Sequence, residues 1–205
     1  MRRPEFIARQ SACPAGLLGR LIGHVMARET VTANETALEL LDLQPADQVL
    51  EVGFGHGATI ARVAAAVSRG FVAGVDPSAE MCRMAARRNR RAVACGRVEL
   101  RHSAVEALPY PDGAFDKVLT VHTLYFWPDL GPPFREIARV LRAGGRLVLA
   151  HRTDRGAELD FPPPVYHFLD DDAVADALRE AGLVCASLVH RSLGRATISF
   201  RVARR

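Results

Sequence analysis

Apolar and polar positions along this chain switch between two periods, and the switches mark its elements. Short apolar runs at 48–52, 71–75, 97–101, 116–121 and 145–151 have strand length, and the stretches 58–68, 78–91 and 130–141 carry helical spacing. Alternation of this kind predicts a parallel, doubly wound α/β sheet. A further helix is predicted over 171–181, ending at Gly182, where glycine commonly stops a helix. The last two strands, 183–190 and 196–203, are separated only by Arg191 to Arg195. That gap is too short for the crossover parallel neighbours need, so the pair must run antiparallel. Ile198, Phe200 and Val202 alternate with Thr197, Ser199 and Arg201, as in a strand with one wet face. Seven strands result, ending in an antiparallel hairpin.

Upstream of the sheet, residues 15–27 carry Leu17, Leu18, Leu21, Ile22, Val25 and Met26 at helical spacing. The stripe predicts a helix with one buried apolar face, kept thin by Gly16, Gly19 and Gly23. It suits packing on the domain flank or, with its arginines, contact with a membrane surface. Thr32-x-x-Glu35 reads as a capping box for a second helix, which Pro45-Ala46-Asp47 ends before the first strand. Residues 152–169, with Pro162-Pro163-Pro164, form a long connector of the kind that often borders a site.

With 205 residues, 49% of them hydrophobic and 24% charged, the chain suits a single domain, 1–205, with helices in 1–45 preceding a core in 46–205. The net charge of +4 comes almost wholly from arginine, Lys117 being the only lysine. Cys13, Cys82, Cys95 and Cys185 show no Cys-x-x-Cys spacing, which favours reduced thiols over disulfides or a metal site. No apolar run approaches the roughly 20 residues of a membrane span, and Glu5, Arg9 and Gln10 interrupt any signal-peptide core. A soluble, cytoplasmic protein is expected.

The chemistry gathers at residues 47–59, Asp-Gln-Val-Leu-Glu-Val-Gly-Phe-Gly-His-Gly-Ala-Thr, a strand, a tight turn and a helix start. Gly53, Gly55 and Gly57 let a ligand approach backbone, and the helix beginning near Ala58 turns its unpaired N–H groups toward it. Gly53-x-Gly55-x-x-Ala58 also satisfies a dinucleotide fingerprint, with Asp76 placed to hold a ribose.

Four segments together resemble the class I S-adenosylmethionine-dependent methyltransferases. They are Glu51-x-Gly53-x-Gly55-x-Gly57, the strand ending in Asp76, Leu108-Pro-Tyr-Pro-Asp-Gly-Ala-Phe-Asp116, and Leu141-Arg-Ala-Gly-Gly-Arg-Leu-Val148. The resemblance covers roughly residues 35–203. It implies S-adenosylmethionine as cofactor, the glycine turn against its methionine part, Glu51 toward its ammonium and Asp76 on the ribose hydroxyls. A plainer role for Asp76 is helping Ser78 to cap the next helix; Ser78 is also included in the cofactor set. Where the family has Asp on the adenine amino group this chain has Ala104, so backbone at Ala104 and Val105 takes that role, with Ser103 as a substitute and Met81 over the adenine face. Val121 and His122 end the fourth strand, where the family lines the gap between methyl group and acceptor. His122 is a candidate general base, or a hydrogen-bonding wall residue. The N-terminal helix becomes a lid in this reading.

Around the methyl position the chain offers His122, Tyr125, Phe126, Trp127, the N-terminal helix and Phe161 to Tyr166. Such a lining predicts a small apolar or aromatic acceptor. The arginines between 83 and 101 suggest the alternative of RNA or DNA methylation. A dinucleotide-type cofactor protein is the third reading.

Overall fold

In the computed structural model, which describes residues 4–153, 162, 165–194 and 196–205, the alternating pattern becomes one seven-stranded sheet. Its strands are β1 (Gln48–Val52), β2 (Phe71–Asp76), β3 (Val98–His102), β4 (Phe115–Val121), β5 (Leu141–Arg152), β6 (Val184–Leu193) and β7 (Ala196–Arg204). They lie in the order β3-β2-β1-β4-β5-β7-β6. The first five pair in parallel, and β7 runs antiparallel to both β5 and β6.

Successive residues of the central strands point to opposite faces, which gives two cores. Leu50, Ala73, Val118 and Leu147 face one side, covered by α7 (Gly131–Val140) and α8 (Asp171–Glu180) through Phe134, Ile137, Val174 and Leu178. Val49, Val72, Leu119 and Val148 face the other, against α3 (Val31–Leu41), α4 (Ala58–Ala66) and α5 (Ala79–Arg88). Strand order reverses between β1 and β4, and at the carboxyl end of such a switch point an open α/β sheet leaves a crevice.

Polar locks fix the strand starts. Lys117, buried at the start of β4, pairs with Asp47 Oδ2 at 3.1 Å and donates to the Asp42 carbonyl; Asp116 Oδ2 accepts the Gln48 N–H at 2.6 Å. Arg139 on α7 donates to the Leu108 and Tyr110 carbonyls and to Asp112, and so clamps the loop that feeds β4.

Several local expectations need correction. A helix precedes the expected first one, α1 (Glu5–Ala12). The next helix, α2 (Gly16–Glu29), buries its glycines rather than its leucines: Gly19 and Gly23 are buried, whereas Leu17, Leu18, Leu21 and Val25 face outward. A Cβ on Gly19 would lie 2.7 Å from the Pro14 carbonyl carbon, and one on Gly23 would lie 2.9 Å from Met81 Cε. The small-residue face therefore approaches closest and wins the buried side. There is no capping box at Thr32, because α3 already starts at Val31 with Thr30 as N-cap, and Glu35 instead pairs with Arg62. The expected helix 78–91 breaks at Asn89, whose side chain donates to the Ala85 and Gly57 carbonyls; a short helix, α6 (Arg90–Ala94), follows. Finally, β7 has no wet face through its middle. Ser199 and Arg201 are buried because Asp171, in the first turn of α8, accepts hydrogen bonds from both. Phe161, Pro163, Pro164 and Arg195 lie outside the described residues.

Candidate active site

A cavity of about 390 Å³ opens at the carboxyl ends of β1, β2 and β4, and the glycine turn forms its base. The three glycines do different work there. Gly55, at φ 53°, has nothing within 4 Å of a built Cβ, so its missing side chain is space that a ligand can use. Gly53, at φ 74°, would drive a Cβ to 2.3 Å from Thr123 Cγ2, so it lets the loop after β4 close against the turn. Gly57 stands outside the cavity wall. It is the left-handed N-cap of α4, and its Cβ would meet Ala85 Cβ at 2.6 Å, so it serves the α4–α5 contact.

Glu51 ends β1 at 5% exposure, and its Oε2 has no hydrogen-bond partner among the described residues. Burial, and then the neighbouring charge of Asp76, push its carboxyl well above the usual range. A buried acceptor of this kind, opening on a cavity, suits a cationic group. Asp76 ends β2 beside it. Its Oδ2 accepts the Gly55 N–H and its Oδ1 the Ser78 N–H, each at 2.8 Å. Burial raises its pKa, and these two bonds oppose the rise. Each carboxylate oxygen keeps further acceptor capacity, and Asp76 borders the cavity.

Ser78 lies behind that wall. Its hydroxyl caps α5 by accepting the Met81 N–H at 3.1 Å and donates to the Pro14 carbonyl at 2.5 Å. The cap thus ties the N-terminal segment down. Ser103, Ala104 and Val105 line the far side of the cavity, and Met81 lies on its wall against Gly23. The Ser103 hydroxyl donates toward the Ala104 and Ala107 carbonyls, and its oxygen keeps lone pairs that can accept from a ligand.

Val121 and His122 stand at the end of β4 as expected, both on the cavity wall. His122 has φ 60°, rare for a non-glycine residue, while its N–H continues the ladder to the Ala150 carbonyl at 2.8 Å. Its Nδ1 is hydrogen-bonded to the Tyr125 hydroxyl. Burial, followed by His151 and Arg152, lowers its pKa to about 4, so the ring is neutral at pH 7. If Nδ1–H donates to Tyr125, Nε2 keeps its lone pair and can accept a proton.

His122 also borders a second chamber, of about 370 Å³. Met26, Thr30, His122 and Phe126 belong to both walls. Beyond them the second chamber is lined by Tyr125, Tyr166 and Phe168, and by Leu193, Ala196 and Ile198 of the β6–β7 hairpin. Trp127 belongs to the first cavity, packing on Phe134 with ring centroids 5.7 Å apart.

Four parts of this site lie outside the set expected from the sequence. The hairpin supplies part of a wall, Arg152 joins the second chamber, and His56 joins the first. His56 stood within the glycine turn and could have been picked out there; burial, Arg88 and His24 lower its pKa to about 4. The fourth is the N-terminal segment, since Ser11 to Pro14 and Gly23 border the first cavity itself. Among the described residues, no group of three or more His, Cys, Asp or Glu could hold a metal ion, and no helix is long and apolar enough to cross a membrane.

The family model described as "Methyltransferase domain" matches residues 50–149. The uncharacterized methyltransferase YdaC of Bacillus subtilis (strain 168) is 30% identical over 156 residues, 76% of this chain and 82% of that protein. The 27-O-demethylrifamycin SV methyltransferase of Amycolatopsis mediterranei (strain S699) is 33% identical over 161 residues, 75% of this chain and 55% of the relative. Among solved structures, a SAM dependent methyltransferase from Aquifex aeolicus superposes with a TM-score of 0.70 at 21% identity, covering 85% of this chain and 89% of its own.

Proposed function

The chain belongs to the class I S-adenosylmethionine-dependent methyltransferases, and from that premise we propose that it methylates a small apolar or aromatic acceptor held in the second chamber. One observation carries the reading: the two chambers share Met26, Thr30, His122 and Phe126, so an occupant of each would meet across His122 and Phe126.

The cofactor assignment draws on the chain's own residues. Glu51 is buried, with its Oε2 unpartnered among the described residues and suited to the ammonium group, Gly55 leaves room against the backbone, and Asp76 keeps acceptor capacity for ribose hydroxyls. Ala104, Val105 and Met81 supply the adenine end, and Val121 lines the cofactor cavity next to His122. Gly57 and Ser78 act through packing and capping, without contact. The bound cofactor supplies an electrophilic methyl group on a sulfonium.

The protein's contribution is then alignment and dryness. Tyr125, Phe126, Tyr166 and Phe168 desolvate the acceptor and hold its flat face. Nε2 of His122 accepts the acceptor's proton where that group still carries one, with Nδ1–H held by Tyr125. A pKa of about 4 makes His122 a weak base, so orientation contributes more than proton removal. The Amycolatopsis relative, named for a rifamycin substrate, supports a small-molecule acceptor.

The exposed arginines of α5 and α6 border neither chamber, which argues against a nucleic-acid substrate. The test is radiolabelled methyl transfer from S-adenosylmethionine to a metabolite panel and to RNA, at low and moderate salt. Small-molecule turnover should hardly respond to salt. Methyl incorporation into RNA that falls steeply with salt would overturn the proposal.

A further inference from the structure

We propose that the outer face of α1 and α2 docks the enzyme onto an anionic lipid bilayer. Because α2 buries Gly19 and Gly23, its large apolar side chains face solvent: Leu17 is 81% exposed, Leu21 63% and Val25 51%, and Phe6 of α1 adds 60%. Leu17, Leu21 and Val25 recur every fourth residue along α2 and so form a ridge rather than scattered singles, and α1, which carries Phe6, packs beside α2.

Charge complementarity selects the occupant. On a helical wheel Arg28 shares the face of Leu17 and Leu21, and Arg20 and His24 border it. Arg20 meets Glu80 of α5 at 3.5 Å, and that carboxylate also takes Arg83, so α2 rides on α5, the first of two consecutive arginine-rich helices, α5 and α6. Arg87, Arg88, Arg90 and Arg91 of that pair are exposed and form no ion pair among the described residues. An apolar ridge with arginines along its shoulders is what an interfacial helix presents to acidic headgroups. A second copy of this chain fits worse, because pairing two such ridges would bring their arginines together. The opposite face of α2 contributes Gly23 and Met26 to the chambers, so a docked enzyme would open toward acceptors dissolved in the bilayer. That last step alone rests on the function proposed above.

The test is co-sedimentation with phosphatidylcholine vesicles, with and without phosphatidylglycerol, for the full chain and for Leu17→Glu/Leu21→Glu. Both leucines are exposed and border neither chamber, so the fold and S-adenosylhomocysteine affinity should stay unchanged. Binding should require the anionic lipid, fall with salt, and drop about tenfold or more in the variant. No binding to anionic vesicles, or equal binding by the variant, overturns the proposal. So does a lipid-free dimer that the variant dissociates in sedimentation velocity. S-adenosylhomocysteine affinity reports on the methyltransferase site separately.

Discussion

Asp76 clasps Gly55: its Oδ2 accepts the Gly55 backbone N–H at 2.8 Å, so a carboxylate proposed to meet the ribose also holds the turn beneath it. Its other oxygen holds Ser78 N–H at the same distance, which binds the end of β2, the glycine turn and the start of α5 into one unit. Asp76→Ala should destabilise the fold by about 1.5–3 kcal/mol in urea titration and weaken S-adenosylhomocysteine binding about tenfold or more. Asp76→Asn keeps one acceptor and should recover part of the stability. Unchanged affinity in both folded variants would remove Asp76 from the site.

The neighbouring glycines separate structure from binding. Gly57→Ala meets Ala85 and Asn89 at 2.6 and 2.8 Å in a left-handed conformation, and should cost about 2–4 kcal/mol of stability. Gly55→Val meets no protein atom within 4 Å of its Cβ, so it should cost only about 1–2 kcal/mol while abolishing most cofactor affinity. Equal losses of stability would show that the turn cannot be divided in this way.

Those glycines also mark how far the sequence could be read. Strand order, parallel pairing and the terminal hairpin follow from short apolar runs and loop lengths, which are local signals. Glu51, Asp76 and His122 were legible because strand ends beside a glycine turn converge by topology. What escaped was decided by distant partners. The face of α2 depends on how close Pro14 and Met81 approach its glycines, and the burial of Ser199 and Arg201 depends on Asp171, about thirty residues away. The two readings of Asp76, ribose acceptor or helix-end carboxylate, were set against each other, whereas its lone pairs allow both.

Glu51 gives a prediction with a sign. Its folded pKa is raised by burial and by Asp76, so its stabilising contribution is present below about 4.5 and is lost as pH rises through the folded value. Above that range the unfolded chain gives up a proton that the folded carboxyl holds more tightly, and its Oε2 has no hydrogen-bond partner among the described residues to favour the charged form, so at pH 8 the ligand-free protein is destabilised at this position. Glu51→Gln should therefore make the ligand-free protein more stable at pH 8 than at present, with little change at pH 4. The same variant should bind S-adenosylhomocysteine more weakly, since the ammonium group loses its counter-charge. Thermal melts at the two pH values, with and without ligand, check both halves; a variant that is less stable at pH 8 contradicts the argument.

His151 works in the opposite direction. It is 1% exposed on β5, neither ring nitrogen has a hydrogen-bond partner among the described residues, and burial lowers its pKa from 6.5 to about 4. The charged groups facing it pull both ways: Asp171, 4.0 Å from Nε2, favours the proton, and Arg201 and His190 oppose it. The unfolded chain takes up a proton near pH 6.5 that the folded chain refuses until about 4, so stability is full above 6.5 and falls as pH drops through that interval. The loss from this ring alone is on the order of a few kcal/mol. His122 adds to it in the same window. In His151→Leu, urea midpoints measured from pH 8 to pH 4 should fall less steeply, with little change at pH 8. An unaltered acid limb would show that His151 takes up its proton in the folded state.

The N-terminal helices join the cofactor cavity through Pro14 and Ser78. Deleting a lid over the acceptor should spare cofactor binding, yet Ser11 to Pro14 border the cofactor cavity, and Pro14 is held by Ser78. The Ser78 hydroxyl does two things at once, capping α5 through Met81 N–H and donating to the Pro14 carbonyl. Ser78→Ala removes the cap, worth about 0.5–2 kcal/mol, and leaves a carbonyl at the cavity edge without its donor. Ser78→Asp keeps a cap acceptor but offers the Pro14 carbonyl no proton when ionised. The two variants should thus differ in stability and agree in function: both should release the segment to limited proteolysis before Gly16 and bind S-adenosylhomocysteine several-fold more weakly. If Ser78→Asp restores protease resistance and affinity along with stability, the segment is held by its apolar contacts and the hydroxyl serves only as a helix cap.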